Sequence, residues 1–201
     1  MSETEAIVFD IGRVLITWDP EGCYDRWIGE DRRRALFDDV PLYETNLEID
    51  RGEPFREAIV ALAEAHPDWS KEIMFWHDRW AEMVVPPIPG SVALLERLVA
   101  GPRPVHALTN FGRETFVQAL ELHPFLTLFD RTFVSGRLGL VKPDPAIYAA
   151  VEEGLGLSGP AIFFTDDSRA NIAAARARGW DAHLFEGPEG LETALTQRGL
   201  L

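Results

Sequence analysis

Four apolar residues, Ala6-Ile7-Val8-Phe9, run into Asp10, with Gly12 two positions on and a second apolar stretch at Val14-Leu15-Ile16. So short an apolar run, closed by a carboxylate, reads as a strand buried inside a parallel sheet. Such a strand presents Asp10 at the carboxyl edge of the sheet, where open α/β folds bind their ligands. The device recurs at Ala161-Ile162-Phe163-Phe164, which leads into Thr165-Asp166-Asp167-Ser168. Two strands bringing three carboxylates to one edge suggest a divalent metal site, because hard cations take oxygen ligands. Taken singly, either segment also fits plain turn and cap chemistry, since Asp and Ser favour helix N-caps.

The chain has 201 residues, enough for one well-buried core and a modest insertion. Its net charge of -14 argues against nucleic acid or an anionic membrane as the main partner. No run of about eighteen apolar residues is present to span a bilayer. The acidic start, Met1-Ser2-Glu3-Thr4-Glu5, lacks the basic-then-apolar pattern of a signal peptide. The single cysteine, Cys23, has no internal disulfide partner and reads as a buried structural thiol in a helix. A cytoplasmic location is expected, and oligomeric state is not legible.

Between Trp18-Asp19-Pro20 and Met83 the apolar residues recur at helical spacing, without β-branched runs. The pattern predicts one helix over 53–65, with Phe55, Ile59, Leu62 and Ala63 inward. It predicts another over 69–83, with Ile73, Trp76, Trp80 and Met83 along one stripe. Shorter helical pieces fit 24–28 and 32–37, and Tyr43 and Glu44 fall in a loop-like middle. Pro86, Pro87 and Pro89 interrupt regular structure and read as a hinge. From Ser91, the expected cap of a helix over 92–100, helices and strands alternate. Strands fit 105–108, 132–134, 161–165 and 181–184, and helices fit 113–122, a stretch from about 146, the segment after Ser168, and 189–197. The expected fold is α/β: a doubly wound, parallel, Rossmann-like sheet over 1–18 and 88–201, interrupted after its first strand by a helical cap over 19–87.

Four strand ends then stand together: Asp10, Thr109-Asn110, Lys142 and Asp166-Asp167. In order and spacing they resemble the motifs of the haloacid dehalogenase-like hydrolase superfamily, most of whose members are phosphatases. The matching segments are Phe9-Asp10-Ile11-Gly12, Leu108-Thr109-Asn110, Lys142-Pro143-Asp144-Pro145-Ala146-Ile147-Tyr148, and Phe164 to Ile172. The resemblance covers essentially the whole chain. It implies that Asp10 attacks phosphorus and forms an aspartyl-phosphate, which splits one hard displacement into two. Thr109 and Asn110 would offer a hydroxyl and an amide to phosphoryl oxygens, and Lys142 a fixed positive charge. Mg²⁺ would be held by Asp10, the Gly12 carbonyl and Asp167, with Asp166 bound directly or through water. The implied substrate is a small phosphorylated metabolite such as a sugar phosphate.

One departure matters. Most phosphatases of this superfamily carry a second aspartate two residues after the nucleophile, which protonates the leaving alcohol. That position here is Gly12, and general acid–base help is typically worth about 10² to 10⁴ in rate. Three readings fit. A branch resembling α-glucose-1-phosphate phosphatases has a similar Asp-Leu-Gly first motif, a small helical cap and a stretch like Asp50-Arg51-Gly52-Glu53. The 2-haloacid dehalogenases need no acid there, but they lack the paired metal-binding acids that Asp166-Asp167 supply. The third is a non-catalytic protein that binds phosphorylated ligands or a partner.

Arg13, Trp18 and Arg113 are further candidates for contact with substrate. The two arginines fit better as solvated helix or loop residues, and Trp18 as packing between the domains. Trp76 and Trp80 read as cap core. His66, His77 and His106 have no metal-ligand spacing, and Asn171 is placed to orient the acidic loop. A cap inserted right after the nucleophile would lie over the site, hinged at 17–20 and 84–90, where closure excludes water and selects the substrate.

Overall fold

The computed structural model describes residues 4–201, so expectations resting on Met1, Ser2 and Glu3 lie outside the described residues. The strands are β1 (Ala6–Phe9), β2 (Val105–Thr109), β3 (Arg131–Val134), β4 (Ile162–Asp166) and β5 (Asp181–Leu184). They form one parallel sheet in the order β3-β2-β1-β4-β5. β1 is central and fully buried, and the order of the strands reverses there, which makes its carboxyl end the crevice of the sheet.

Between β1 and the rest of the sheet lie α1 (Pro20–Ile28), α2 (Glu30–Asp39), α3 (Leu42–Arg51), α4 (Phe55–Ala65), α5 (Ser70–Asp78) and α6 (Trp80–Met83). Then follow α7 (Pro89–Val99), α8 (Arg113–Leu122), α9 (Ser135–Leu138), α10 (Pro145–Leu155), α11 (Arg169–Ala177) and α12 (Pro188–Gln197). Side chains alternate along β1, so Ile7 and Phe9 enter one core and Val8 the other. Leu94, Leu95 and Leu98 of α7 and Leu191 and Leu195 of α12 share the first core. Ile147 and Val151 of α10 and Ile172 of α11 share the second. The fold is α/β and Rossmann-like, with helices on both faces of the sheet. No helix among the described residues is long and apolar enough to cross a membrane.

Three expectations are corrected. The apolar stripe over 69–83 is divided: α5 stops at Asp78, Arg79 leaves helical geometry, and α6 restarts at Trp80. The break lets the two indoles serve different neighbours, Trp76 packing on Trp18 and Tyr43 while Trp80 meets Phe111 edge-on. Tyr43 and Glu44 lie on α3, not in a loop, and only Leu42 and Ile49 of that helix are buried. Ser91 does not cap α7. Pro89 opens that helix at its first position, where a missing N–H costs nothing, and the Ser91 hydroxyl sits buried inside the first turn.

The two crossings into and out of the helical segment run side by side. Thr17 N–H donates to Pro86 O at 3.0 Å, Ile88 N–H to Leu15 O at 2.8 Å, and Asp19 N–H to Met83 O at 3.0 Å. Inside the segment Trp76 is fully buried, with the rings of Trp18, Tyr24, Phe37 and Tyr43 all between 5.8 and 6.3 Å away. Trp76→Ala is therefore expected to lower unfolding free energy by about 3–5 kcal/mol. Chemical denaturation checks this, and a loss under about 1 kcal/mol would show that the cluster collapses around the gap.

Candidate active site

β1 ends at Asp10 and β4 ends at Asp166, and between them stands the ammonium of Lys142. Its Nζ lies 2.8 Å from Asp10 Oδ1, 2.7 Å from Asp166 Oδ2 and 3.0 Å from Leu108 O. The Lys142 and Asp166 side chains are all but inaccessible, at 2% and 0% exposure. Lys142 reaches this point because its backbone is clamped. Its N–H donates to Asn110 Oδ1 at 2.8 Å, and Asn110 Nδ2 donates back to Lys142 O at 3.0 Å. Asp144 then caps α10, accepting from Ala146 N–H. The Asn110 amide thus clamps the Lys142 backbone with its oxygen and one N–H, and the residue lines the cavity.

Asp166 is equally committed. Its Oδ1 accepts from Ser168 N–H at 2.8 Å, and Asn171 Nδ2 donates to both carboxylate oxygens at 3.0 Å. Asn171 does orient the acidic loop. Asp167, by contrast, is half-buried and faces the cavity, with Arg13 Nη1 4.0 Å away. Burial and the Asp166 carboxylate push the Asp10 carboxyl up against the pull of Lys142, and burial together with Asp166 raises Asp167 as well. Burial disfavours the Lys142 ammonium, but its two carboxylate neighbours outweigh that and hold its pKa above the ordinary range. One buried ammonium and a guanidinium at the exposed rim, set against three carboxylates, leave negative charge uncompensated in a poorly hydrated place.

A cavity of about 250 Å³ opens above Asp10. From the sheet side it is lined by Gly12, Thr109, Asn110, Lys142 and Asp167, and from the helical segment by Asn46, Asp50, Trp80 and Val84. Ile16, Trp18 and Phe111 add apolar wall, and Arg13 stands at the exposed rim with left-handed backbone, φ 57°. A side chain added at Gly12 would meet nothing within 4 Å. Arg113 does not line the cavity; its Nε donates to Gly136 O at 2.6 Å. His106 lies buried in β2, His77 pairs with Asp78, and His66 ends α4, all away from the acidic cluster.

Asn46 is a wall residue that sequence reasoning did not single out, and Asp50 entered it only within the stretch Asp50-Arg51-Gly52-Glu53. They sit one helical turn apart on α3, and Asn46 Nδ2 donates to Asp50 Oδ2 at 3.1 Å. Asn46 Oδ1 in turn accepts from the indole Nε1 of the buried Trp76 at 3.2 Å. Burial raises the Asp50 carboxyl to about 7, while the Gly112 N–H and the Lys142 ammonium pull it down. A signal was present: an acid in the last turn of a helix opposes the helix dipole, and Asp50 stands two residues before the closing Gly52. That end of α3 is packed against backbone. A Cβ at Gly52 would lie 2.9 Å from Gly136 O, and one at Gly112 would lie 2.7 Å from Ile49 Cγ2.

A sequence model of the haloacid dehalogenase-like hydrolases matches residues 4–179. The chain belongs to that family. It is accordingly a hydrolase. Among curated relatives, drimenol cyclase drtB of Aspergillus calidoustus is 26% identical over 197 residues, 95% of this chain. The chain spans only 36% of that longer protein. Sesquiterpene phosphatase astK of Aspergillus oryzae is 26% identical over 181 residues, covering 87% of this chain and 86% of the relative. Among solved structures, the HAD family enzyme bt-2542 of Bacteroides thetaiotaomicron superposes with a TM-score of 0.75 at 22% identity. That match covers 92% of this chain and 95% of the bacterial one. The same enzyme in complex with magnesium and inorganic phosphate superposes with a TM-score of 0.69 at 21% identity, over the same shares of the two chains.

Two outcomes follow from these charges. Lys142→Met leaves Asp10 and Asp166 facing each other without a cation, and a loss of about 3–5 kcal/mol in denaturant unfolding is expected. Asp50 holds its proton to higher pH when folded than when unfolded, so its ionisation weakens the fold as pH rises from about 4 to 7. Asp50→Asn is therefore expected to raise Tm at pH 8, with an advantage that fades as pH falls toward 4. An advantage that grew on acidification would contradict the raised carboxyl.

Proposed function

We propose that this hydrolase is a Mg²⁺-dependent phosphatase that cleaves a small phosphorylated metabolite through an aspartyl-phosphate on Asp10. One observation carries the reading: Asp10 ends the central strand at the base of a cavity, beside a buried ammonium and two further carboxylates. A phosphate ester is an anion that repels an approaching carboxylate, so positive charge must be gathered before attack. Lys142 supplies one such charge, fixed by Asn110. Carboxylate oxygens of Asp10, Asp166 and Asp167 lie within 4.8 Å of one another, and the single ammonium leaves them short of cation. An oxygen-rich, anionic set of this kind fits Mg²⁺, which binds a few carboxylates together with water and substrate phosphate.

We assign the metal to Asp10, the Gly12 carbonyl and Asp167, with Asp166 set back because both of its oxygens already accept hydrogen bonds. When bound, Mg²⁺ would neutralise phosphoryl oxygens and orient the ester. The Asp10 carboxylate then attacks phosphorus, the ester oxygen departs, and water releases phosphate from the acyl phosphate. Thr109 offers its hydroxyl at the cavity wall, and Arg13 and Trp18 border the bound ester. The segment 19–87 serves as the cap that shuts out water. Ile16, Trp18, Trp80, Val84 and Phe111 favour an alcohol with an apolar face, and the naming of one relative as a sesquiterpene phosphatase agrees with that.

The test is phosphate release from prenyl, alkyl, sugar and p-nitrophenyl phosphates, with and without Mg²⁺. Activity is expected to vanish with chelator and return with Mg²⁺. Asp10→Asn is expected to lose about 10³-fold or more, as removal of a nucleophile does. Mg²⁺ with beryllofluoride is expected to raise the Tm of the wild type and not of Asp10→Asn. Substantial turnover by Asp10→Asn would rule out the covalent route.

A further inference from the structure

Cleaving an alkyl phosphate leaves an alkoxide, which departs slowly unless it receives a proton. Gly12 has no side chain to give one, and the space where a Cβ would stand is empty. The acids that line the cavity are Asp10, Asp167 and Asp50. Asp10 is engaged by Lys142, and Asp167 belongs with it to the acidic cluster. Asp50 stands apart on the opposite wall, carried by α3.

We propose that Asp50 is the catalytic acid and base of this site, taking from the cap the role that Gly12 cannot fill. The assignment rests on the phosphatase reading of the site. In the first step an Asp10 oxygen forms a bond to phosphorus and the phosphorus–alcohol oxygen bond breaks. Its electron pair stays on the departing oxygen, which takes the proton of the Asp50 carboxyl. In the second, the Asp50 carboxylate takes a proton from water as the water oxygen bonds to phosphorus. The aspartyl–phosphate bond breaks, freeing Asp10 and inorganic phosphate, and Asp50 is again a neutral acid.

The surroundings of Asp50 suit that cycle. The carboxyl is half-buried, and Asn46 holds one oxygen at 3.1 Å. Close packing at Gly52 and Gly112 fixes the helix end that carries it. Burial keeps a proton on it near neutrality. Other charges nearby are directed elsewhere. Arg113 of α8 is held by Gly136 O, Arg137 of α9 lies over the Phe116 ring, and Arg56 and Glu57 of α4 are exposed. Arg51 pairs with Glu48 on the outer face of α3. Lys142 is the charge that bears on it, favouring the carboxylate that must form after donation.

The experiment compares first-turnover rates of wild type and Asp50→Asn on butyl phosphate and p-nitrophenyl phosphate, with Mg²⁺ present. Nitrophenolate leaves without a proton; butoxide does not. Asp50→Asn is expected to slow the butyl ester by about 10² to 10⁴, and the nitrophenyl ester at least about ten-fold less. Because the substitution also touches α3, the double variant Asp50→Asn/Gly12→Asp is run beside it, placing a carboxyl in the open space at position 12. Recovery of the butyl ester supports the assignment. Equal slowing of both esters without recovery overturns it, and so does an unslowed butyl ester. Wild type that releases phosphate from neither ester overturns the phosphatase reading itself, and the role of Asp50 falls with it.

Discussion

The buried ammonium of Lys142 is the interaction on which the site depends. It touches the end of β1 through Asp10, the end of β2 through Leu108 O and the end of β4 through Asp166. Three segments far apart in sequence are thereby held in one geometry. A lysine taken out of water is costly unless its partners are well placed, and here two carboxylates and a carbonyl meet it within 3.0 Å. Asn110 and Asn171 finish the arrangement from either side, one clamping the lysine backbone and the other the Asp166 carboxylate. The result is a site rigid before any ligand arrives and still short of positive charge. A rigid anionic pocket of that kind is prepared for a cation and an anion together.

The upper wall has a different origin. α3 approaches the sheet domain where Gly52, Gly112 and Gly136 leave backbone exposed to close contact. At Gly52, with φ 115°, the chain turns in a conformation that side chains resist, and any Cβ would strike the Gly136 carbonyl. Behind α3 the aromatic cluster around Trp76 supplies the apolar burial that the sparsely buried helix lacks. The position of Asn46 and Asp50 is thus a product of packing in two directions, against glycine on one side and indole on the other.

This division sets what the sequence can disclose. β1 and β4 are legible because an uninterrupted apolar run ending in a carboxylate fits little besides a buried strand, and Asp10, Asp166 and Asp167 emerge through those ends, while Lys142 enters through the resemblance of its motif. The start of helix α3, at Tyr43 and Glu44, reads as a loop in the sequence, with only Leu42 and Ile49 of that helix buried. Asp50 enters the sequence reading only through the resemblance of Asp50-Arg51-Gly52-Glu53, although an acid near a helix C-terminus is a local misfit that calls for a reason. The clamp that Asn110 forms is illegible in principle. Its amide satisfies backbone atoms of residue 142, a pairing that no local pattern encodes. Arg113 shows the reverse error, a cation near a motif that is spent on a carbonyl of the neighbouring chain segment.

An indole nitrogen can only donate, and that simple fact reaches from the core of the helical segment into the cavity. Because Trp76 donates to Asn46 Oδ1, the amide has one orientation, with its NH₂ toward Asp50 Oδ2. Oδ2 of Asp50 is therefore held as an acceptor, while the Gly112 N–H bears on the same carboxyl. A tryptophan out of contact with solvent decides which way an amide faces a cavity-lining acid.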